Sequence, residues 1–169
     1  MKFYKRDLVQ QANVPIQFEE EISFDLSQFQ NNLSSLRQLH NLIVEGTLHY
    51  DMDTDLAVVD YTVHGDMTVA CSISNEDVLV GFEGNTSETY SFSDTEVEDI
   101  RVVKNEVIDL SESVFQTILF EVPLRVVKEG LSEYPKGDGW EVLKESDYQN
   151  QEKPIDPRLA KLLEFKTED

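Results

Sequence analysis

The stretch from Ala57 to Ile73 constrains the fold more than any other part of the chain, because apolar or small residues occupy every second position along it. The residues on this parity are Ala57, Val59, Tyr61, Val63, Gly65, Met67, Val69, Cys71 and Ile73. A period of two is that of a strand with one buried face, and no helix produces it. Gly65 interrupts the row of side chains. We therefore predict a bend or bulge there, which gives two strands or one sharply curved strand.

Other segments with the same alternation predict further strands. They cover residues 15–24 and 42–50, with shorter strands at 78–82, 88–92 and 99–104. No long helix intervenes between these strands, which favours antiparallel pairing over a doubly wound sheet. We predict an α+β fold with a mainly antiparallel, strongly bent sheet or half-barrel, flanked by short helices.

The clearest helix is predicted for residues 110–121, where apolar residues recur at helical spacing. Asp109 and Glu112 stand in the relation of a capping box, which favours the start of a helix. Pro123 cannot donate a backbone hydrogen bond and disfavours helical geometry in the preceding residue. The helix therefore has a physical stop.

Two more short helices are expected elsewhere in the chain. One begins near Asp25 or Ser27 and extends into the early thirties, and the other covers 156–165, where Asp156 can act as the cap. The intervening segment 130–155 is rich in turn-forming residues and is expected to be a loop or connector. The length of 169 residues favours one domain, which we place at 1–169.

The charge balance is strongly acidic, with 34 acidic and 14 basic residues and a net charge of −20. Such a surface repels nucleic acid, whose binding relies on Lys and Arg, and it suits a basic protein partner better. Cys71 is the sole cysteine, so no internal disulfide can form. The start of the chain lacks the apolar run of a signal peptide, and no segment has the length of a membrane span. We expect a cytoplasmic protein.

The acidic turn at Asp51, Asp53 and Asp55 begins like a calcium-binding loop. Leu56 occupies the position where such a loop needs glycine, and Thr62 stands where a bidentate glutamate is expected. We therefore interpret the segment as a solvated hairpin turn.

His40, His49 and His64 are the other candidates for chemistry, but their spacing matches neither a zinc site nor a catalytic triad. Cys71 shares the parity of the core residues and is expected to face inward as a small apolar side chain. We therefore predict no enzymatic activity, no catalytic residue, no metal site and no cofactor.

Three segments in a fixed order resemble the YceD family. They are HGDMTVACSIS, EVIDLSESVFQTILFEVPL and PIDPRLAKLLEF. The resemblance implies a role in the accumulation of large-subunit (23S) ribosomal RNA without an established activity. Many members have a C-x-x-C motif and a further cysteine-rich segment, but here the second motif position is Ser74 and the later segment has no cysteine. A zinc function is therefore not carried over.

Combining charge and resemblance, we expect an accessory protein that binds a basic ribosomal protein or assembly factor and so protects rRNA indirectly. The alternative is direct contact with rRNA through a local basic patch. The candidate interaction residues are Arg125, Lys128, Asp156 and Arg158. A small hydrolase that uses a histidine and a carboxylate is a third, less favoured hypothesis.

Overall fold

The computed structural model describes residues 1–25, 35–131, 134–143 and 147–148. The chain divides into two compact units, Met1–Glu129 and Gly130–Asp169. The helix expected to extend into the early thirties and the helix expected at 156–165 lie outside the described residues. The single-domain assignment and the bounds of the 130–155 connector stay predictions.

The first unit contains a five-stranded sheet with the order β2-β3-β4-β5-β6. Its strands are β2 (Ile16–Ile22), β3 (Leu36–Asp51), β4 (Leu56–Ala70), β5 (Asp77–Ser91) and β6 (Ile100–Val102). All neighbours pair antiparallel except β5 and β6, which pair parallel. The mainly antiparallel architecture is confirmed. The strong bend or half-barrel stays a prediction.

The start of the chain, for which the sequence predicted no element, forms β1 (Lys2–Tyr4) and α1 (Lys5–Gln10). β1 pairs with β7 (Val107–Asp109) in a separate two-stranded sheet. Leu8 of α1 is buried in the main core, which also contains Leu48, Val59 and Ile118. The segment is therefore part of the folded unit.

The helix predicted for 110–121 is confirmed as α2 (Ser111–Glu121), and the residue after it, Val122, is extended, as expected before Pro123. The prediction of a capping box formed by Asp109 and Glu112 is wrong. The helix is preceded by Leu110, which has no side-chain cap, and Asp109 Oδ1 accepts a hydrogen bond from the N–H of Ser111 at 3.0 Å. Asp109 belongs to β7, so only one residue separates strand from helix.

α2 contacts β4 and β5. A buried polar cluster fixes this contact, because the Tyr61 hydroxyl lies 2.5 Å from Ser113 Oγ and 3.1 Å from Thr117 Oγ1. Thr117 Oγ1 in turn lies 2.8 Å from Thr86 Oγ1. Among the described residues, no buried side-chain nitrogen or oxygen lacks a hydrogen-bond partner.

Gly65 does not interrupt its strand, because β4 and β5 keep a continuous register along their length. The irregularity lies in the neighbouring β3, between His40 and Ile43, where Asn41 has a positive φ of 52°. A Cβ at position 65 would come within 2.9 Å of the His40 carbonyl oxygen. The glycine therefore accommodates the bulge of the adjacent strand.

The remaining strand predictions are confirmed with changed bounds. The segments 78–82 and 88–92 belong to one strand, β5, and 99–104 contains β6. In the second unit, β8 (Lys136–Gly137) and β9 (Trp140–Glu141) form a hairpin with Gly139 at a φ of 80°. No helix within the described ranges is long and apolar enough to cross a membrane.

Candidate functional site

The outer face of the five-stranded sheet is acidic. The alternation that buries one side of each strand places the other side in solvent. The exposed carboxylates on the outward positions of β2 to β5 are those of Glu19, Glu21, Glu45, Asp60, Asp77 and Glu83. Asp77 is paired with Arg37, and the other five form no ion pair with a described residue.

A depression of about 800 Å³ lies on this face and crosses the four strands β2 to β5. Glu19, Glu45 and Asp60 contribute its three carboxylates. The other outward residues that line it are neutral and polar, among them Thr47, Thr62, Asn85 and Ser87. Thr62 donates a hydrogen bond to Asn85 Oδ1 at 2.7 Å across β4 and β5. The depression is therefore a polar surface with negative charge, and none of the described residues that line it is a lysine or an arginine.

The strand register brings two of these carboxylates together. Glu19 of β2 is the cross-strand partner of Glu45 of β3. Like charges placed directly opposite each other destabilise a sheet, so this pairing has a cost for the isolated protein. A cationic group seated between them would remove the repulsion. The Glu19 and Glu45 carboxylates can therefore form ion pairs with lysine or arginine side chains of a partner.

Cations elsewhere in the described part of the chain are mostly neutralised. Ion pairs join Lys2 to Asp109, Lys5 to Asp55, Arg6 to Asp7, Arg37 to Asp77, Arg101 to Glu88 and Lys128 to Glu76. Basic side chains that pair with local carboxylates present little net positive charge to a phosphate backbone.

The predicted interaction residues fall into two groups. Arg125 is exposed and makes no ion pair with a described residue, whereas the Lys128 ammonium lies 3.1 Å from Glu76 Oε2. Asp156 and Arg158 lie outside the described residues. Of the proposed basic patch, the structure therefore describes two cations three residues apart, and of these only Lys128 has an ion-pair partner among the described residues.

Cys71 faces inward, as the parity predicted, and is buried as a free thiol. Its sulfur also accepts hydrogen bonds from the N–H groups of Ser74 and Lys128, each at 3.4 Å. Hydrogen bonding by Ser74, followed by that of Lys128, lowers the pKa of the thiol to about 6. Cys71 is thus more polar than the small apolar side chain that we expected, although it is shielded from solvent.

The acidic turn is a hairpin turn between β3 and β4 in which the carboxylates of Asp51 and Asp55 have separate partners. Asp51 accepts hydrogen bonds from the Asp53 N–H at 2.9 Å and the Thr54 hydroxyl at 2.8 Å. Asp55 instead is half-buried and paired with Lys5. Within the described ranges, no group of histidine, cysteine and acidic residues could hold a metal ion.

Two of the three histidines have a neighbour on the adjacent strand of the sheet. His40 Nε2 lies 2.9 Å from Thr68 Oγ1, and His64 is a cross-strand partner of Glu83. No hydrogen bond between a histidine and a carboxylate occurs in the described part of the chain.

Sequence reasoning did not identify the acidic depression. The outward position of Glu45 follows from the alternation along its strand, but the sequence does not state which residue of β2 lies opposite it. Register depends on pairing between strands that are far apart in the chain. The signal that was available is the run of three glutamates at 19–21 on a predicted strand.

Comparison with known proteins gives two matches. The model of the YceD family, described as "Large ribosomal RNA subunit accumulation protein YceD", matches residues 59–166. The chain is also 30% identical over 176 residues to a Bacillus subtilis (strain 168) protein named "Uncharacterized protein YlbN", and the alignment covers 100% of this chain and 98% of that protein. No solved structure matches the chain significantly.

Proposed function

Because this chain belongs to the YceD family of large ribosomal RNA subunit accumulation proteins, we propose that it is a non-enzymatic accessory factor in ribosome biogenesis. It binds a basic ribosomal protein or assembly factor and in this way supports the accumulation of large-subunit rRNA. The family name supports the rRNA role, and the acidic outer face of the sheet supports the kind of partner.

The observation that carries the choice of partner is the set of unpaired carboxylates around the depression. Glu19, Glu45 and Asp60 line one surface, and no described cation neutralises them. Complementary charge accelerates encounter with a basic protein and selects against acidic partners. Ribosomal proteins that bind rRNA carry the lysine and arginine that such a surface attracts.

Direct binding of RNA to this face is disfavoured on the same grounds. Phosphates and carboxylates repel each other over a distance of about 8 Å at physiological salt. The net charge of −20 extends this repulsion over most of the surface. Association with rRNA in a cell would then pass through the protein partner.

Pull-down of the full chain from a lysate, with and without ribonuclease, tests the proposal. We expect ribosomal proteins or assembly factors of high basic content to remain bound after the RNA is digested, and rRNA to disappear from the bound fraction. Loss of every protein partner on ribonuclease treatment would contradict the proposal.

Direct contact with rRNA is the second candidate, and Arg125, which is exposed and has no ion pair with a described residue, favours it. The test is binding of the purified protein to protein-free large-subunit rRNA, compared with the triple variant Arg125→Glu, Lys128→Glu, Arg158→Glu. A matched variant with the same charge change elsewhere is Arg6→Glu, Lys104→Glu, Lys136→Glu. Micromolar or tighter binding that only the first variant abolishes would establish direct contact and overturn the protein-partner proposal.

A further inference from the structure

β2 is an edge strand of the main sheet, and one of its two sides is not paired with any described strand. In the sheet order β2-β3-β4-β5-β6 it pairs with β3 alone. Alternate N–H and C=O groups of an edge strand point away from its partner and can bond to an added strand. No described residue outside β3 forms a backbone hydrogen bond to residues 16–22. Among described residues, this side of β2 therefore has no main-chain partner.

The side chains of this edge select what can pair with it. Glu19, Glu20 and Glu21 are consecutive and exposed. Charged residues on an edge strand usually protect it against pairing with another copy of the same protein, since two acidic edges repel each other. The same charges do not protect it against a basic strand, which they attract.

We infer that the free edge of β2 pairs with an extended, lysine- or arginine-rich segment of a protein partner, which adds a sixth strand to the sheet beside the acidic depression. This inference rests on the proposed function, for which it names the binding mode. Addition of a strand to a sheet edge is a recurring mode of peptide recognition, in which main-chain hydrogen bonds provide affinity and alternate side chains provide specificity.

The spacing of the carboxylates fits such a strand. An added strand would lie about 4.8 Å from β2, and its side chains on one face would repeat every 6.7 Å or so. Glu19 and Glu21 lie on the outer face two residues apart and share this repeat. Glu45, directly across from Glu19, lies one strand further in, at a distance that a long basic side chain can span.

The unpaired main-chain groups and the negative charge of the β2 edge disfavour two other binding partners, a second copy of the chain and RNA. A second copy of the chain would bring its own glutamates against these three. RNA has no main-chain groups that complete a β-ladder, and its phosphates are repelled. An extended basic polypeptide satisfies both the hydrogen-bonding groups and the charge.

The probe for this inference is a short labelled peptide that alternates lysine and threonine, with binding to the full chain followed by fluorescence anisotropy. Two further peptides of identical charge carry N-methyl groups on all lysines or on all threonines. In a strand, alternate N–H groups face opposite sides, so one methylated peptide should lose affinity and the other should retain it. Amide hydrogen exchange should slow in β2 when the parent peptide is bound.

The double variant Glu19→Gln, Glu45→Gln should bind the parent peptide about tenfold more weakly, because two ion pairs are lost. The matched control is Glu96→Gln, Glu98→Gln, which removes the same charge from exposed positions between β5 and β6 and should bind as the unmodified protein does. Equal binding of both methylated peptides, or equal weakening in the two double variants, would overturn the inference and indicate charge attraction alone.

Failure here is distinguishable from failure of the proposed function. If the ribonuclease-resistant partners of the pull-down bind the Glu19→Gln, Glu45→Gln variant as tightly as the unmodified chain, the assignment to the β2 edge falls while the accessory role stands. If the peptide binds β2 as described but no basic partner survives ribonuclease treatment, the accessory role falls.

Discussion

The ammonium of Lys5 lies 2.7 Å from Oδ1 of Asp55, and the two residues are separated by fifty positions in the chain. Both side chains are about one quarter exposed, at 23% and 24%. The same carboxylate accepts hydrogen bonds from the Tyr50 hydroxyl at 2.7 Å and the Ser93 hydroxyl at 2.9 Å. Asp55, in the β3–β4 turn, therefore connects this turn to α1 through Lys5 and to the segment after β5 through Ser93.

This cluster predicts a pH-dependent loss of stability. Partial burial opposes ionisation of Asp55, but hydrogen bonds from Lys5, Tyr50 and Ser93 outweigh it and hold the pKa below the usual 3.8. The carboxylate thus contributes stability above pH 3.8, and the contribution is lost as the pH falls through the lowered pKa. Asp55→Asn should cost about 1–2 kcal/mol in the free energy of unfolding at neutral pH.

Urea unfolding at pH 7 and pH 3 measures this effect. The difference in the free energy of unfolding between the unmodified protein and Asp55→Asn should be smaller at pH 3 than at pH 7. Asparagine tolerates the positive φ of 56° at this position, so backbone strain does not confound the result. Asp53→Asn, two residues earlier on the exposed turn, changes the net charge equally and should have little effect. A difference that is unchanged at pH 3 would show that ionisation of Asp55 is not the cause.

We expect a second effect on stability at Gly46, because the Phe18 ring and the Asp60 carbonyl oxygen pack against its Cα. A Cβ at this position would lie 2.8 Å from the Phe18 ring and would clash with Asp60 O. Gly46→Ala should therefore lower the free energy of unfolding by roughly 1–3 kcal/mol. Gly81→Ala is the control, since the nearest atom to its Cβ would be 3.7 Å away. Comparable unfolding free energies for the two variants would contradict the close packing described here.

Removing one charge of the Glu19 and Glu45 pair should stabilise the protein, in contrast to the two substitutions above. Since like charges across a ladder destabilise it, Glu45→Gln should raise the free energy of unfolding by a few tenths to about 1 kcal/mol at low salt, and the gain should shrink in high salt. Urea unfolding at two salt concentrations is the measurement. A loss of stability at low salt would mean that Glu45 has a favourable partner instead.

Cys71 predicts slow thiol chemistry despite a lowered pKa. The pKa of about 6 makes the thiolate available at neutral pH, but the side chain is 3% exposed. Labelling of the native protein should be far slower than labelling in denaturant. A reference protein with Cys71→Ser and Met52→Cys, which places the thiol on the exposed hairpin turn, should label rapidly. Equal rates for Cys71 in native and denatured protein would show that burial does not protect it.

The sequence predicted the strands of the sheet because their alternation is local. The inward rows on β3 and β4, the buried Cys71 and the end of α2 before Pro123 all follow from patterns within one segment. The pairing of β1 with β7 and the parallel addition of β6 are contacts between distant segments, which short strands do not encode.

The candidate site was less predictable for a related reason. Acidic composition indicated the kind of partner, but the surface that concentrates the charge arises from the register of β2, β3 and β4. The sequence likewise could not show that Lys128 is paired with Glu76, because Glu76 lies in the turn after β4 and Lys128 lies in the segment after α2, 52 positions later in the chain. Local patterns predict whether a side chain faces the core or the solvent, and tertiary pairing determines which residues it contacts.

Binding through the acidic face can be tested in cells by the ratio of large- to small-subunit rRNA in a strain that lacks this gene. We expect the ratio to fall in the deletion strain and the unmodified chain to restore it. Glu19→Gln, Glu45→Gln, produced at the same level, should fail to restore it, whereas Arg125→Glu, Lys128→Glu, Arg158→Glu should succeed. Restoration by the acidic-face variant together with failure of the basic-patch variant would contradict the account.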